Sequence, residues 1–230
     1  MYFQHSAEIW EDFSELVPGV LFATGITGDV SVASRVGEFN AIAESRLGAA
    51  TESELPEIQA WRRTFSKMGL KPTQYRCASE SLLRRFKKER SLPPIHPLID
   101  LCNAVSLAFA IPIAVFDISR IDEYLEVRYA SGGETYETFG GSVENPQPHE
   151  VIFADGAGRA HARRWTNRQS AYSAVQDTTS AVLVVAEGMH DSAPSDVRKL
   201  TETLGDELTA VWSAGFESAI LSRADPRFSF

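Results

Sequence analysis

Ile95-His96-Pro97-Leu98-Ile99-Asp100-Leu101-Cys102-Asn103-Ala104-Val105-Ser106-Leu107-Ala108-Phe109-Ala110-Ile111-Pro112-Ile113-Ala114-Val115-Phe116-Asp117 is the stretch that decides the fold class. Pro97 suits the first turn of a helix, where its fixed φ helps and its missing N–H costs nothing. From Leu98 to Phe109 the chain is apolar almost all round, which marks a helix destined for a core. Pro112 ends that pattern, and residues 113–118 read as a strand.

Outward from there the order is helices first, strands second. Residues 7–16, 32–47, 56–68 and 79–89 carry helical periodicity, with Ser79 a candidate N-cap. Pro18-Gly19 reads as a break before a strand over 20–26. After residue 118, strands are expected over 124–130, 135–139, 151–154, 159–165 and 181–186. Asp155-Gly156-Ala157-Gly158 turns a hairpin between two of them. A closing helix is expected over about 195–220, with Gly205 and Gly215 as weak points. Helices, then strands, then one helix make an α+β class with a mixed or antiparallel sheet packed with helices, not a regular βαβ alternation. No repeat or long linker divides the 230 residues, so 7–230 reads as a single domain. Residues 1–6, Met1-Tyr2-Phe3-Gln4-His5-Ser6, are either native or the remnant of a cleavage linker, and His5 is set aside with them.

Composition excludes several classes. With 43% hydrophobic and 23% charged residues the chain is of ordinary globular type. Its longest apolar run falls far short of the ~20 residues of a membrane span. Without a basic, then apolar, leader and with only Cys77 and Cys102, a reducing cytoplasm is the expected setting. The net charge of −9 conceals an asymmetry: from Arg62 to Arg90 ten basic residues face two acidic ones, a local +8 that leaves −17 elsewhere. Arg84, Arg85, Lys87 and Lys88 lie at its centre, with Tyr75 and Phe86 interleaved. Such a run fits either phosphate contacts with stacking or a solvated helix face with Phe86 in the core. No histidine pair, CxxC or P-loop has the spacing of a metal or nucleotide site, so no metal or cofactor is expected. Nor do the motifs assemble a Ser/His/Asp or Cys/His set.

The Asp100-x-x-Asn103 helix leading into Pro112-x-x-x-Phe116-Asp117 resembles the core of the B3/B4 domain, the editing module of the bacterial phenylalanyl-tRNA synthetase beta chain. Arg76-x-x-Ser79-x-x-Leu82-Leu83-Arg84-Arg85 and Arg164-Trp165-Thr166-Asn167-Arg168 are similar to segments of its stand-alone members, and the resemblance spans about residues 61–187. It implies tRNA with an aminoacylated 3′ end as partner and deacylation in trans of a mischarged aminoacyl-tRNA. A non-catalytic RNA- or amino-acid-binding module that keeps only the fold is the alternative. Ala114 stands where the synthetase domains carry a histidine, and Val185 falls near their hydroxyl-reading glutamate, so the pocket is expected to have lost two polar groups.

On this resemblance the pocket lies where the Asn103 helix meets residues 112–117 and 164–168. Asn103 is the catalytic candidate, orienting water or donating to the ester carbonyl; otherwise it satisfies backbone carbonyls. Arg76 or Arg168 would anchor the terminal phosphate. Glu80 or Asp117 would hold the substrate ammonium, unless Glu80 caps or pairs with Arg84 and Asp117 is a turn residue. Trp165 is a wall or a core residue. Hydrolysis would use a positioned water without an acyl-enzyme. The oligomeric state is left open.

Overall fold

The computed structural model describes residues 1–230. In chain order its elements are β1 (Tyr2–His5), α1 (Ala7–Asp12), β2 (Val17–Thr24), α2 (Ala33–Ala49), α3 (Pro56–Lys67), α4 (Ala78–Glu89), α5 (Pro97–Phe109), β3 (Ile113–Asp117), β4 (Tyr124–Tyr129), β5 (Tyr136–Glu137), β6 (Val143–Glu144), β7 (Val151–Asp155), β8 (Ala160–Arg163), β9 (Arg168–Gln169), β10 (Ala181–Gly188), α6 (Ala193–Trp212), β11 (Phe216–Ile220) and β12 (Arg227–Ser229). The fold is α+β, as the order of periodicities predicts.

The strands do not form one sheet. Four of them make an antiparallel sheet in the order β11-β2-β10-β3, and six make a mixed sheet in the order β12-β1-β4-β7-β8-β9, with β5 and β6 paired separately. The only parallel pairing in the larger sheet joins β1 to β4. Alternation along the shared strands explains the layering. Leu21, Val115, Val182 and Val184 face one core with Leu101, Val105 and Leu200 of α5 and α6. Val20, Phe116, Leu183 and Val185 face the other, with Trp61 of α3 and Phe153 of the larger sheet. Both cores therefore draw on β2, β3 and β10, and no cut in the chain separates them.

Four expectations are corrected. Residues 2–5 belong to the fold: they form a strand flanked by β4 and β12, and His5 is buried. The closing helix stops at Trp212, because Ser213 turns left-handed (φ 53°), and residues 216–220 are a strand. Pro18-Gly19 lies inside β2, not before it. Cys77, not Ser79, is the N-cap of α4; Ser79 is buried in its first turn.

Candidate functional site

The segment after β8 doubles back on two consecutive left-handed residues, Arg164 (φ 48°) and Trp165 (φ 58°). Non-glycine residues hold such angles only where the surroundings over-determine them, and here they do. The Trp165 N–H donates to Val151 O (2.7 Å) and the Arg164 N–H to Glu150 Oε1 (3.1 Å). Glu150 is itself held by two 2.8 Å bonds from Arg163. Burial works against the Glu150 charge, but the Arg163 guanidinium outweighs it and keeps the carboxyl below its ordinary range. The start of α4 docks on the same segment, with the Ala78 N–H donating to Thr166 O (2.8 Å) and Asn167 Nδ2 to Arg76 O (2.7 Å).

Behind this turn lies a cavity of about 50 Å³. Ile113 and Ala114 of β3, Val185 and Glu187 of β10, and residues 165–169 line it, among others. Ala114 and Val185 are direct cross-strand partners, so the two positions that depart from the resembled domains meet on one wall. That wall nevertheless keeps a charged group. Glu187, two residues along β10 on the face of Val185, is almost fully buried. Its Oε1 takes a hydrogen bond from Trp165 Nε1 (2.9 Å) and lies 2.7 Å from His5 Nε2, while Trp61 Nε1 donates to its backbone carbonyl (3.2 Å). Both side-chain contacts fall on the same carboxylate oxygen, Oε1. Thr166, in the turn after β8, also lines the cavity, and its Oγ1 is buried without a partner. Glu187 was legible in principle, being the one ionisable residue of an otherwise apolar strand. His5, 182 residues away, was not.

The other expected site residues scatter. Asn103 lines a separate cavity of about 410 Å³, with Val36, Asn40 and residues 91–94, so it does not join Trp165 and Arg168. The reason is helical phase: the buried faces of α5 carry Leu101, Cys102 and Val105, and Asn103 points off them toward α2. Glu80 is fully buried and takes two bonds from Arg62 (2.6 and 3.1 Å), with Arg76 at 3.4 Å, so its oxygens are committed to an interhelical clamp and not to Arg84. Arg76 divides its guanidinium between Glu80 and Thr73 O. Asp117 is a turn residue: Ser119 N and Oγ and Thr179 Oγ1 donate to it at 2.7–2.9 Å. Trp165 is both wall and core, edge-on to Phe13 and Trp61. Arg168 stands at the cavity margin, partly exposed, 3.4 Å from Glu144.

Among the basic residues, Arg84 and Lys87 both pair with Glu52, which precedes the basic stretch in sequence, and Arg85 pairs with Glu89. Lys88 is exposed, and Phe86 is in the core.

One constellation invisible in the motifs does form. His161 Nδ1 lies 2.8 Å from Ser173 Oγ, and its Nε2 lies 3.1 Å from Asp155 Oδ2. Burial raises and His161 with the Arg159 N–H lowers the Asp155 carboxyl, for a net depression. All three groups are sealed from solvent, and the Ser173 carbonyl accepts from the Asp117 N–H (3.0 Å). No ester can reach such a serine, so the set is a polar knot tying the sheets together. The cysteines are equally inert: burial pushes the Cys77 thiol up to about 11 and the Cys102 thiol up to about 12.

Comparison with known proteins adds a family. The family model described as the B3/4 domain matches residues 60–205. The chain is similar to the phenylalanine–tRNA ligase beta subunit of Shewanella oneidensis, 26% identical over 167 residues, covering 68% of this chain and 20% of that protein. To that of Bartonella henselae it is 25% identical over 150 residues, covering 62% and 19%. It thus spans about a fifth of those relatives. An N-terminal fragment of the phenylalanyl-tRNA synthetase beta-subunit from Pyrococcus horikoshii superimposes with a TM-score of 0.46 at 10% identity, over 93% of this chain and 49% of that one. No helix is long and apolar enough to cross a membrane.

Proposed function

The chain belongs to the B3/4 domain family, and on that premise we propose that it binds the aminoacylated 3′ end of a tRNA and hydrolyses a mischarged aminoacyl ester in trans. The observation that carries the reading is the cavity holding one buried carboxylate, Glu187, whose Oε1 is fixed by His5 and Trp165. A fixed acceptor in a cavity this small would meet only the donor end of an aminoacyl group, either its α-ammonium or a side-chain hydroxyl. Arg168 at the margin would meet the terminal phosphate. Arg84, Arg85, Lys87 and Lys88 would meet phosphates farther along the acceptor arm. A water positioned beside the ester, within reach of Thr166 Oγ1 and Glu187, would attack the carbonyl without an acyl-enzyme.

Incubation with a panel of mischarged tRNAs tests this by following loss of the ester. One or more should be deacylated, and Glu187→Gln should lower kcat/KM by roughly 10–100-fold, the worth of a hydrogen bond to a charged group, while tRNA affinity holds. The second reading, binding without hydrolysis, is favoured by Ala114 and by Asn103 lying in another cavity. It predicts tRNA binding with every ester in the panel intact.

A further inference from the structure

Where β10 runs out, residues 189–192 lead into α6, and α3 passes beside the turn. A side chain from each of these three places converges: Glu57 from α3, His190 from the turn and Asp196 from the first turn of α6. One ligating atom from each lies within 4.8 Å of the other two. His190 and Glu57 are 2% and 9% exposed, whereas Asp196 is open to solvent on one side at 36%.

The hydrogen bonds around the cluster do not close. Asp196 Oδ2 lies 3.0 Å from His190 Nε2 and accepts from Ser192 Oγ (2.6 Å). Glu57 Oε1 accepts from Arg46 (2.7 Å), which fixes the carboxylate in place. Glu57 Oε2 and His190 Nδ1 are both buried with no partner. Native interiors rarely leave such atoms unsatisfied; Nδ1 lies on the ring edge away from Nε2, so Glu57 Oε2 is the orphaned atom that can share an ion with His190 Nε2 and Asp196 Oδ2. The shortfall is of donors: two carboxylates and an imidazole meet there, and the guanidinium of Arg46 is bonded to Glu57 Oε1, not Oε2.

We propose that Glu57, His190 and Asp196 form a binding site for a divalent transition-metal ion, Zn²⁺ in the first place. One imidazole nitrogen with carboxylate oxygens is a donor set that such ions accept at ~2.0–2.2 Å. The 3.0 Å between Nε2 and Oδ2 is close to the spacing of two ligands on one tetrahedral ion. The solvent-open side of Asp196 leaves a position for water. An ion there ties α3 and α6 to the end of β10, three residues beyond Glu187. The inference is independent of the proposed hydrolysis.

The test is calorimetric titration of the full chain with Zn²⁺ after dialysis against a chelator. The expected result is one ion per chain, with a Tm that climbs with Zn²⁺ concentration. Asp196→Asn, on the exposed side and therefore safe for folding, should weaken binding at least ~10-fold, and Glu57→Gln and His190→Gln likewise. His149→Ala, at an exposed histidine outside the cluster, should leave stoichiometry unchanged. Absence of binding would overturn the site. Binding unaltered in Asp196→Asn and Glu57→Gln, or lost in His149→Ala, would overturn it as well.

Discussion

Glu134 illustrates how one carboxylate acquires a pH dependence from backbone geometry. Burial raises its pKa, but the Ser131 and Gly132 N–H groups (both 3.0 Å) and Arg128 (2.6 Å) outweigh burial and hold it at about 2. A folded-state pKa below the unfolded value of ~4.3 contributes stability that is complete above the unfolded value. That contribution fades as pH falls toward 2. Urea midpoints measured between pH 5 and 2 should therefore decline, and Glu134→Gln should flatten the decline while costing roughly 1–3 kcal/mol at neutral pH. An unaltered acid limb would assign it to other carboxylates. Glu187 differs in kind: one of its oxygens is tied to two rings and the residue lines the cavity, which is why its replacement is expected to read out in kinetics.

Two glycines of opposite circumstance test the packing of whole elements. A Cβ at Gly19 of β2 would overlap Thr201 Oγ1 and lie 2.8 Å from Val197 Cγ1 of α6, and Thr201 is locked by its bond to Val197 O (2.8 Å). Gly19→Ala should cost about 1–3 kcal/mol by overpacking. Gly37, in α2, has nothing within 4 Å of a new Cβ, and Gly37→Ala should raise stability by ~0.5–1 kcal/mol through helix propensity. Thermal or urea denaturation of the pair settles whether α6 lies directly on β2. The other element-scale device is Glu80, which joins α4 to α3 through Arg62 and takes Arg76 beside it. Glu80→Ala strands two part-buried guanidiniums and should destabilise toward the low end of ~3–5 kcal/mol. A large effect on ligand affinity with stability intact would instead return Glu80 to the binding site.

At the scale of the molecule, the basic stretch is less positive than its composition. Glu80 engages Arg62 and Arg76, Glu52 engages Arg84 and Lys87, and Glu89 engages Arg85. Lys88 is among the residues left without an ion pair. Alanine at Arg84, Arg85, Lys87 and Lys88 together should weaken tRNA binding and reduce the log–log salt slope by ~0.7–0.9 for each phosphate no longer neutralised. Binding and slope that stay unchanged would make the run ordinary solvating charge. The termini also act at this scale: β1 pairs with β12 across nearly the whole length of the chain and with β4 on its other side, where His5 lies opposite Val127 and reaches Glu187.

What the sequence determined by itself is local. The α5–β3 unit, the order of helices and strands and the α+β class follow from periodicity and from Pro97 and Pro112, because backbone preference and amphipathic phase are properties of neighbouring residues. The region of the cavity was expected from the family resemblance carried by residues 112–117 and 164–168, not from periodicity, and the Asn103 helix expected beside them lines another cavity. Tertiary structure alone decided the division into two principal sheets, the strand at residues 2–5 and the exclusion of Asn103 from the cavity. It also decided the partners of Glu187, Glu80, His161 and His190, which stand between 4 and 182 residues away. Charge and hydrogen-bonding capacity are written in a side chain. Which opposite group satisfies them depends on which elements the cores bring together, and no periodicity records that.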